Sequence, residues 1–176
     1  MLTCSGRSEP LPSRARVTMQ LAEFLDLVKT ARHDWDGQLR RLRSDQMTAP
    51  GVVGKWSVKD LVVHITWSER EMVGVLKTHV LAGSDLWSLT NDERNEIVYQ
   101  QNRERPLEEV LAEAKSVYAQ LLELISALSD ADLNDLSYIA EMPPDLPPWR
   151  LLAGNTYIHY HEHAQGLKAW LDRQAS

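Results

Sequence analysis

Cysteine is nearly missing from this chain: Cys4 is the single thiol in 176 residues. One thiol cannot form an internal disulfide framework or a cysteine metal motif, and a reducing compartment such as the cytoplasm is the default expectation. Apolar runs are short. None reaches the roughly 18 residues that a membrane span requires. The opening MLTCSGRSEPLPSRARVT lacks the continuous apolar core of a secretory signal, so none is expected. A basic excess is missing too. Lys plus Arg is 19 against 25 Asp plus Glu, a net charge of -6, which gives no support to nucleic-acid binding. What remains is ordinary globular composition, 43% hydrophobic and 25% charged, on a chain long enough for one domain with a sizeable core.

Residues 1–18 are rich in Ser, Pro and Arg and show no periodicity. They read as a disordered tail, or as an extension ahead of a start at Met19. One domain is expected over 19–174. Leu21, Phe24, Leu25, Val28, Trp35, Leu39 and Leu42 recur at helical spacing and predict one long helix ending before Thr48-Ala-Pro-Gly51. His33 lies in it beside polar residues and reads as solvated. After the Pro50-Gly51 break, Ser57 and Asp60 form an acidic capping box for a helix over about 57–80. Its inward stripe is Leu61, His64, Ile65, Ser68, Met72, Val75 and Leu76. Residues 91–103 are polar and predict a short extra helix. Pro106 opens the next main helix, with a stripe from Val110 to Leu128. Two proline pairs, Pro143-Pro144 and Pro147-Pro148, exclude regular structure between 134 and 148 and leave a crossover loop. Trp149 to Trp170 then reads as the last helix. No stretch reads as a strand. The expected fold is all-α, a bundle of four main helices.

The chemistry concentrates in that last helix. His159 and His163 are four residues apart, which in an α-helix is about 400° of turn and about 6 Å of rise, so both imidazoles point one way. His161 faces elsewhere. Stacked imidazoles make half of a metal site. The one other histidine on an apolar stripe is His64. If its helix neighbours the last one, three imidazoles meet and leave coordination positions open for water or substrate. The bland alternative is a set of core histidines, each bonded to a carbonyl or a water. Imidazole suits Zn, Ni, Fe and Cu, so the metal is not fixed. Other metal motifs fail. Gln165 stands where the second histidine of HExxH belongs, and Tyr160 stands where a Glu-x-x-His pair needs its glutamate.

Around this constellation, Glu71 is two turns beyond His64 and is a weak candidate to orient a ligand or accept a proton. The competing reading, a half-exposed helix carboxylate, is favoured. Trp56 and Trp67 flank the second helix and could line a pocket, although tryptophan at helical spacing more often packs. Tyr157 and Tyr160 are likewise read as packing residues.

GKWSVKDLVVHITWSERE, carrying His64, resembles the second helix of the DinB/YfiT-like metalloenzyme superfamily. NTYIHYHEHAQGLKAWL, with His159 and His163, resembles its last helix. The segment from Asn102 to Leu133 resembles the ClbS/DfsB branch. The resemblance spans about residues 19–172. It implies a four-helix bundle with a long crossover connection and a three-histidine site for a divalent transition metal (Zn, Ni or Fe), here His64, His159 and His163. It also implies an enzyme acting on small electrophiles, either a thiol S-transferase using a low-molecular-weight thiol or a hydrolase. ClbS-like relatives open a reactive natural product without needing a metal, and that is the alternative activity. A non-catalytic, sequestering or dimeric scaffold with a vestigial site is the alternative class. A homodimer is a reasonable expectation for such a bundle.

Overall fold

The computed structural model describes residues 18–174. The expectation of a disordered tail over 1–18, and Cys4 with it, falls outside the described residues apart from Thr18. Four long helices make the body: α1 (Leu21–Leu39), α3 (Val58–Thr78), α5 (Leu107–Ser126) and α8 (Tyr157–Gln174). Shorter ones join them: α2 (Ser44–Thr48), α4 (Asn91–Asn102), α6 (Asp130–Asn134) and α7 (Pro148–Gly154). A 3-10 turn at Asp85–Ser88 precedes α4. Among the described residues no strand forms, only the isolated bridges Val53 to Trp56 and Val80 to Ala140. The all-α four-helix bundle and the extra helix over 91–102 are as expected from the hydrophobic periodicity, and the segment between α5 and α8, which holds the two proline pairs, crosses between helices that are not neighbours.

Around the bundle, α1 packs on α8 and α5, and α3 packs on α5 and α8. Helices α1 and α3 therefore face each other across a diagonal. Helix α3 is the most enclosed element. Leu61, Ile65, Met72, Val75 and Leu76 are buried as expected, but so are Val62, Val63, Thr66, Glu69 and Val73. Each fully buried aliphatic side chain contributes roughly 1.5–3 kcal/mol before entropic costs. Its N-terminus carries the expected box: the Asp60 amide donates to Ser57 Oγ, and the Ser57 amide donates to Asp60 Oδ2 at 2.8 Å.

Three local features depart from the sequence reading. The first helix ends at Leu39 rather than running to Thr48, and a separate turn of helix, α2, follows. The start of α1 is capped from a distance: Asp130 Oδ1 accepts the Leu21 amide at 2.7 Å, and Asn134 Oδ1 accepts the Met19 amide at 2.9 Å. The last helix is two helices. Asn155 Nδ2 and Thr156 Oγ1 donate to the carbonyls of Leu151 and Leu152. Such side chains compete with the backbone for those acceptors, and the rod breaks between Gly154 and Tyr157. Finally, Lys59 is buried and donates to the carbonyls of Arg103 and Arg105, at 2.6 and 3.0 Å. That cation holds the C-terminal end of α4 against α3, where exposed carbonyls favour positive charge.

Candidate metal centre

Helices α3 and α8 bring three rings together. His64 Nε2 and His159 Nε2 lie 2.9 Å apart. Ring centroids are 4.8 Å apart for His64 and His159, 5.0 Å for His64 and His163, and 4.6 Å for His159 and His163. One nitrogen from each ring falls within 4.8 Å of the others. His159 enters in the first turn of α8, immediately after the break that separates it from α7.

The rings are uncharged at neutral pH. Burial pushes His64 down to about 3, repulsion from His163 and Arg94 adds to the effect, and the side chain of Asn95 opposes it. Burial also takes His159 down to about 2, with His64 and His163 contributing. His163 is lowered by burial, opposed by Glu162. A neutral imidazole has a lone pair to give. No carboxylate belongs to the cluster. Nδ1 of His64 and Nδ1 of His159 are buried without a hydrogen-bond partner among the described residues. The bland reading, core histidines each bonded to a carbonyl or a water, finds no protein carbonyl for those two atoms. Three neutral nitrogen donors converging on one point suit a divalent transition metal with open positions.

The triad closes one end of a cavity of about 420 Å³. Trp67 and Ser68 of α3 line it, as do Trp87 from the 3-10 turn and Asn91, Arg94 and Asn95 of α4. Leu151 and Asn155 of the α7 segment stand opposite. Ser68 Oγ donates to the His64 carbonyl at 3.3 Å, so its hydroxyl is engaged with its own helix.

Glu71 has another task than the ligand-orienting or proton-accepting one. Its Oε2 accepts from the Ser84 amide at 2.8 Å and from Trp87 Nε1 at 2.5 Å. It fixes a wall of the cavity and does not line it. Trp67 lines the cavity, while Trp56 packs against the His64 ring at 5.6 Å and stacks on Tyr99. Tyr157 packs edge-on against Phe24, and Tyr160 is fully buried, so both are packing residues as expected. His33 and His161 are exposed.

The sequence reading missed a buried ionic cluster behind the triad. Glu69 Oε1 accepts from Arg32 Nη1 at 2.5 Å and from the Tyr160 hydroxyl at 2.6 Å. Arg32 also reaches Asp36 at 2.9 Å and lies over the Tyr118 ring at 4.2 Å. Burial raises the Glu69 carboxyl, with Arg32 opposing, and raises the Tyr160 hydroxyl well above its usual range. The signal was available in part. Glu69 falls four residues after Ile65 on a stripe otherwise apolar, but a single charged residue at helical spacing does not name its partner.

An all-helical bundle with a three-histidine cluster at a cavity defines a class of helical protein whose interior offers donors that could hold a metal ion. The model of the DinB superfamily matches residues 27–165, and the chain belongs to that superfamily. Its fold is similar to an uncharacterised protein from Escherichia coli UTI89 (17% identity, 90% of this chain and 96% of that one, TM-score 0.73). It is also similar to the protein described as sibling lethal factor precursor, DfsB (15%, 90% and 98%, TM-score 0.75). A third is the colibactin self-resistance protein ClbS, solved in complex with double-stranded DNA (15%, 87% and 96%, TM-score 0.72). At these identities the likeness is one of fold. No curated protein matches the sequence.

Proposed function

We propose that this chain is a metal-dependent enzyme acting on small electrophiles, as a thiol S-transferase or a hydrolase, with His64, His159 and His163 as the ligands. The observation that carries the reading is the approach of His64 Nε2 to His159 Nε2, 2.9 Å, with the His163 ring beside both in a half-open cavity of mixed polar and apolar lining. A divalent metal held there would supply Lewis acidity, favouring a thiolate or a hydroxide at neutral pH. The chain's own residues do the rest. Trp67 and Trp87 contribute apolar surface to the wall against which a substrate would pack. Glu71 and Gly83 hold Trp87 in place, one by a hydrogen bond and the other by leaving room for its ring. The ionic cluster of Arg32, Glu69 and Tyr160 fixes α8 against α3 one residue from His159.

The competing reading is a metal-independent protein that binds or opens a reactive natural product. It draws on the likeness in fold to ClbS and DfsB. Elemental analysis of protein purified without an affinity tag separates the two. One equivalent of transition metal, lost in His64→Ala and in His159→Ala, supports the metalloenzyme; metal-free protein with full activity on an electrophile sinks it. Consumption of a model electrophile that requires added thiol then identifies a transferase, and consumption without thiol a hydrolase.

A further inference from the structure

Arg94 is the cation of the cavity wall, and among the described residues no carboxylate lies within ion-pair distance of it. The cations around it are paired: Lys55 with Glu96 at 2.8 Å, Arg103 with Glu104 at 3.3 Å, and Arg105 with Glu113 at 2.6 Å. Arg70 also pairs with Glu113. Among the described residues Arg94 makes no ion pair. Its guanidinium bonds the side-chain oxygen of Asn91 and lies over the Trp67 ring at 5.3 Å. Both partners are neutral. They hold the group in place without pairing its charge, and leave N–H donors of the guanidinium for a ligand. The group is half-buried and shares the cavity with the three histidines and with the side-chain amide of Asn95.

We infer that the molecule received by this cavity carries a carboxylate, bound by Arg94 with Asn95 beside it, while its reactive end lies against His64, His159 and His163. This rests on the cavity being the substrate site proposed above. A planar guanidinium fork matches a carboxylate in two parallel hydrogen bonds, which a point charge does not do. A monoanion suits the wall better than a dianion, because Glu162 lines the same cavity and the chain as a whole is acidic. The plain alternative is that Arg94 only covers Trp67, in which case ligand charge makes no difference.

Two probes of similar size, mercaptopropionate and the neutral mercaptopropanol, decide between these. Binding to the cobalt(II)-loaded protein is read from thiolate-to-cobalt absorption, and binding to the metal-free protein from NMR shifts. The native chain is expected to prefer the carboxylate probe by about tenfold or more, the usual worth of a charged hydrogen bond. In Arg94→Gln the preference disappears while affinity for the neutral thiol stays, and Arg94→Lys keeps part of it. Circular dichroism establishes that both variants are folded. Equal affinity of the native protein for the two probes, or a preference undiminished in both variants, overturns the inference. If the protein takes up no cobalt, the metal assignment fails by itself. The metal-free titration then rules: a carboxylate preference that Arg94→Gln abolishes upholds the present inference, and no preference ends it.

Discussion

Arg32 of α1 and Glu69 of α3 meet at 2.5 Å across the diagonal of the bundle, with Tyr160 of α8 on the same carboxylate oxygen and Tyr118 of α5 under the guanidinium. One ion pair therefore touches all four long helices. Glu69 is wholly buried. Removing its partner leaves a charge with nothing to balance it, so Arg32→Met should lose about 3–5 kcal/mol of stability. The double variant Arg32→Met with Glu69→Met should recover much of that loss. Urea unfolding of the three proteins checks this, and additive losses would show that the pair is not coupled.

Acid should weaken the metal-free protein through the triad. In the unfolded chain His64 protonates below about pH 6.5; in the folded protein it does so only near 3. Between those values the unfolded state binds more protons, so stability is full above pH 6.5 and falls as pH drops through the window. Each unit of displacement is worth about 1.4 kcal/mol. His64→Gln should flatten the pH dependence of the melting temperature between pH 6.5 and 4. An unchanged slope in that variant would contradict the burial of a neutral ring.

Metal and folding should be linked. A ligand that binds only the folded state at a hundred times its dissociation constant stabilises by about 2.7 kcal/mol. Adding zinc or nickel to metal-free protein should raise the melting temperature, and a chelator should reverse it. His163→Ala should abolish the rise, since two imidazoles leave the donor set short. A rise that persists in the variant would place the metal elsewhere.

Gly83 is required for space. A Cβ there would fall 1.8 Å from Trp87 Cδ1 and Nε1. Gly83→Ala should displace the indole, break its hydrogen bond to Glu71 and cost about 1–3 kcal/mol. Ligand binding in the cavity should weaken with it. Native-like affinity and stability would mean that the segment around Trp87 adjusts freely.

Ser57 caps the helix that carries His64. Ser57→Ala should cost about 1 kcal/mol by removing the acceptor for the Asp60 amide. Thermal unfolding tests it, and a loss below a few tenths would mean that water replaces the hydroxyl.

Much of this molecule was legible as one-dimensional pattern. The stripes of α3 and α5 follow helical periodicity, and the four-residue spacing of His159 and His163 fixes their shared face whatever the fold. Pairing them with His64 required knowing that α3 and α8 are neighbours, and here the resemblance to a known bundle carried the step. Features that depend on partners far apart in sequence stayed hidden. Arg32 looked like a surface residue beside His33, because nothing local announces Glu69 thirty-seven positions on. The capping of α1 by Asp130 and Asn134 was invisible for the same reason. Glu71 is the half-exposed helix carboxylate that was the favoured reading, but its partner Trp87 lies on a connector whose path no periodicity predicts. The break at Asn155 and Thr156 turns on two side chains choosing their own helix carbonyls, a contest that spacing alone does not settle.

That break also divides labour along the chain. Segment 148–154 contributes Leu151 and Gly154 to one side of the chamber, while the histidines begin only after the interruption. A substitution in the upstream piece can reshape what enters without rotating the downstream rings. Selectivity and coordination are thereby free to drift at different rates in descendants of this sequence.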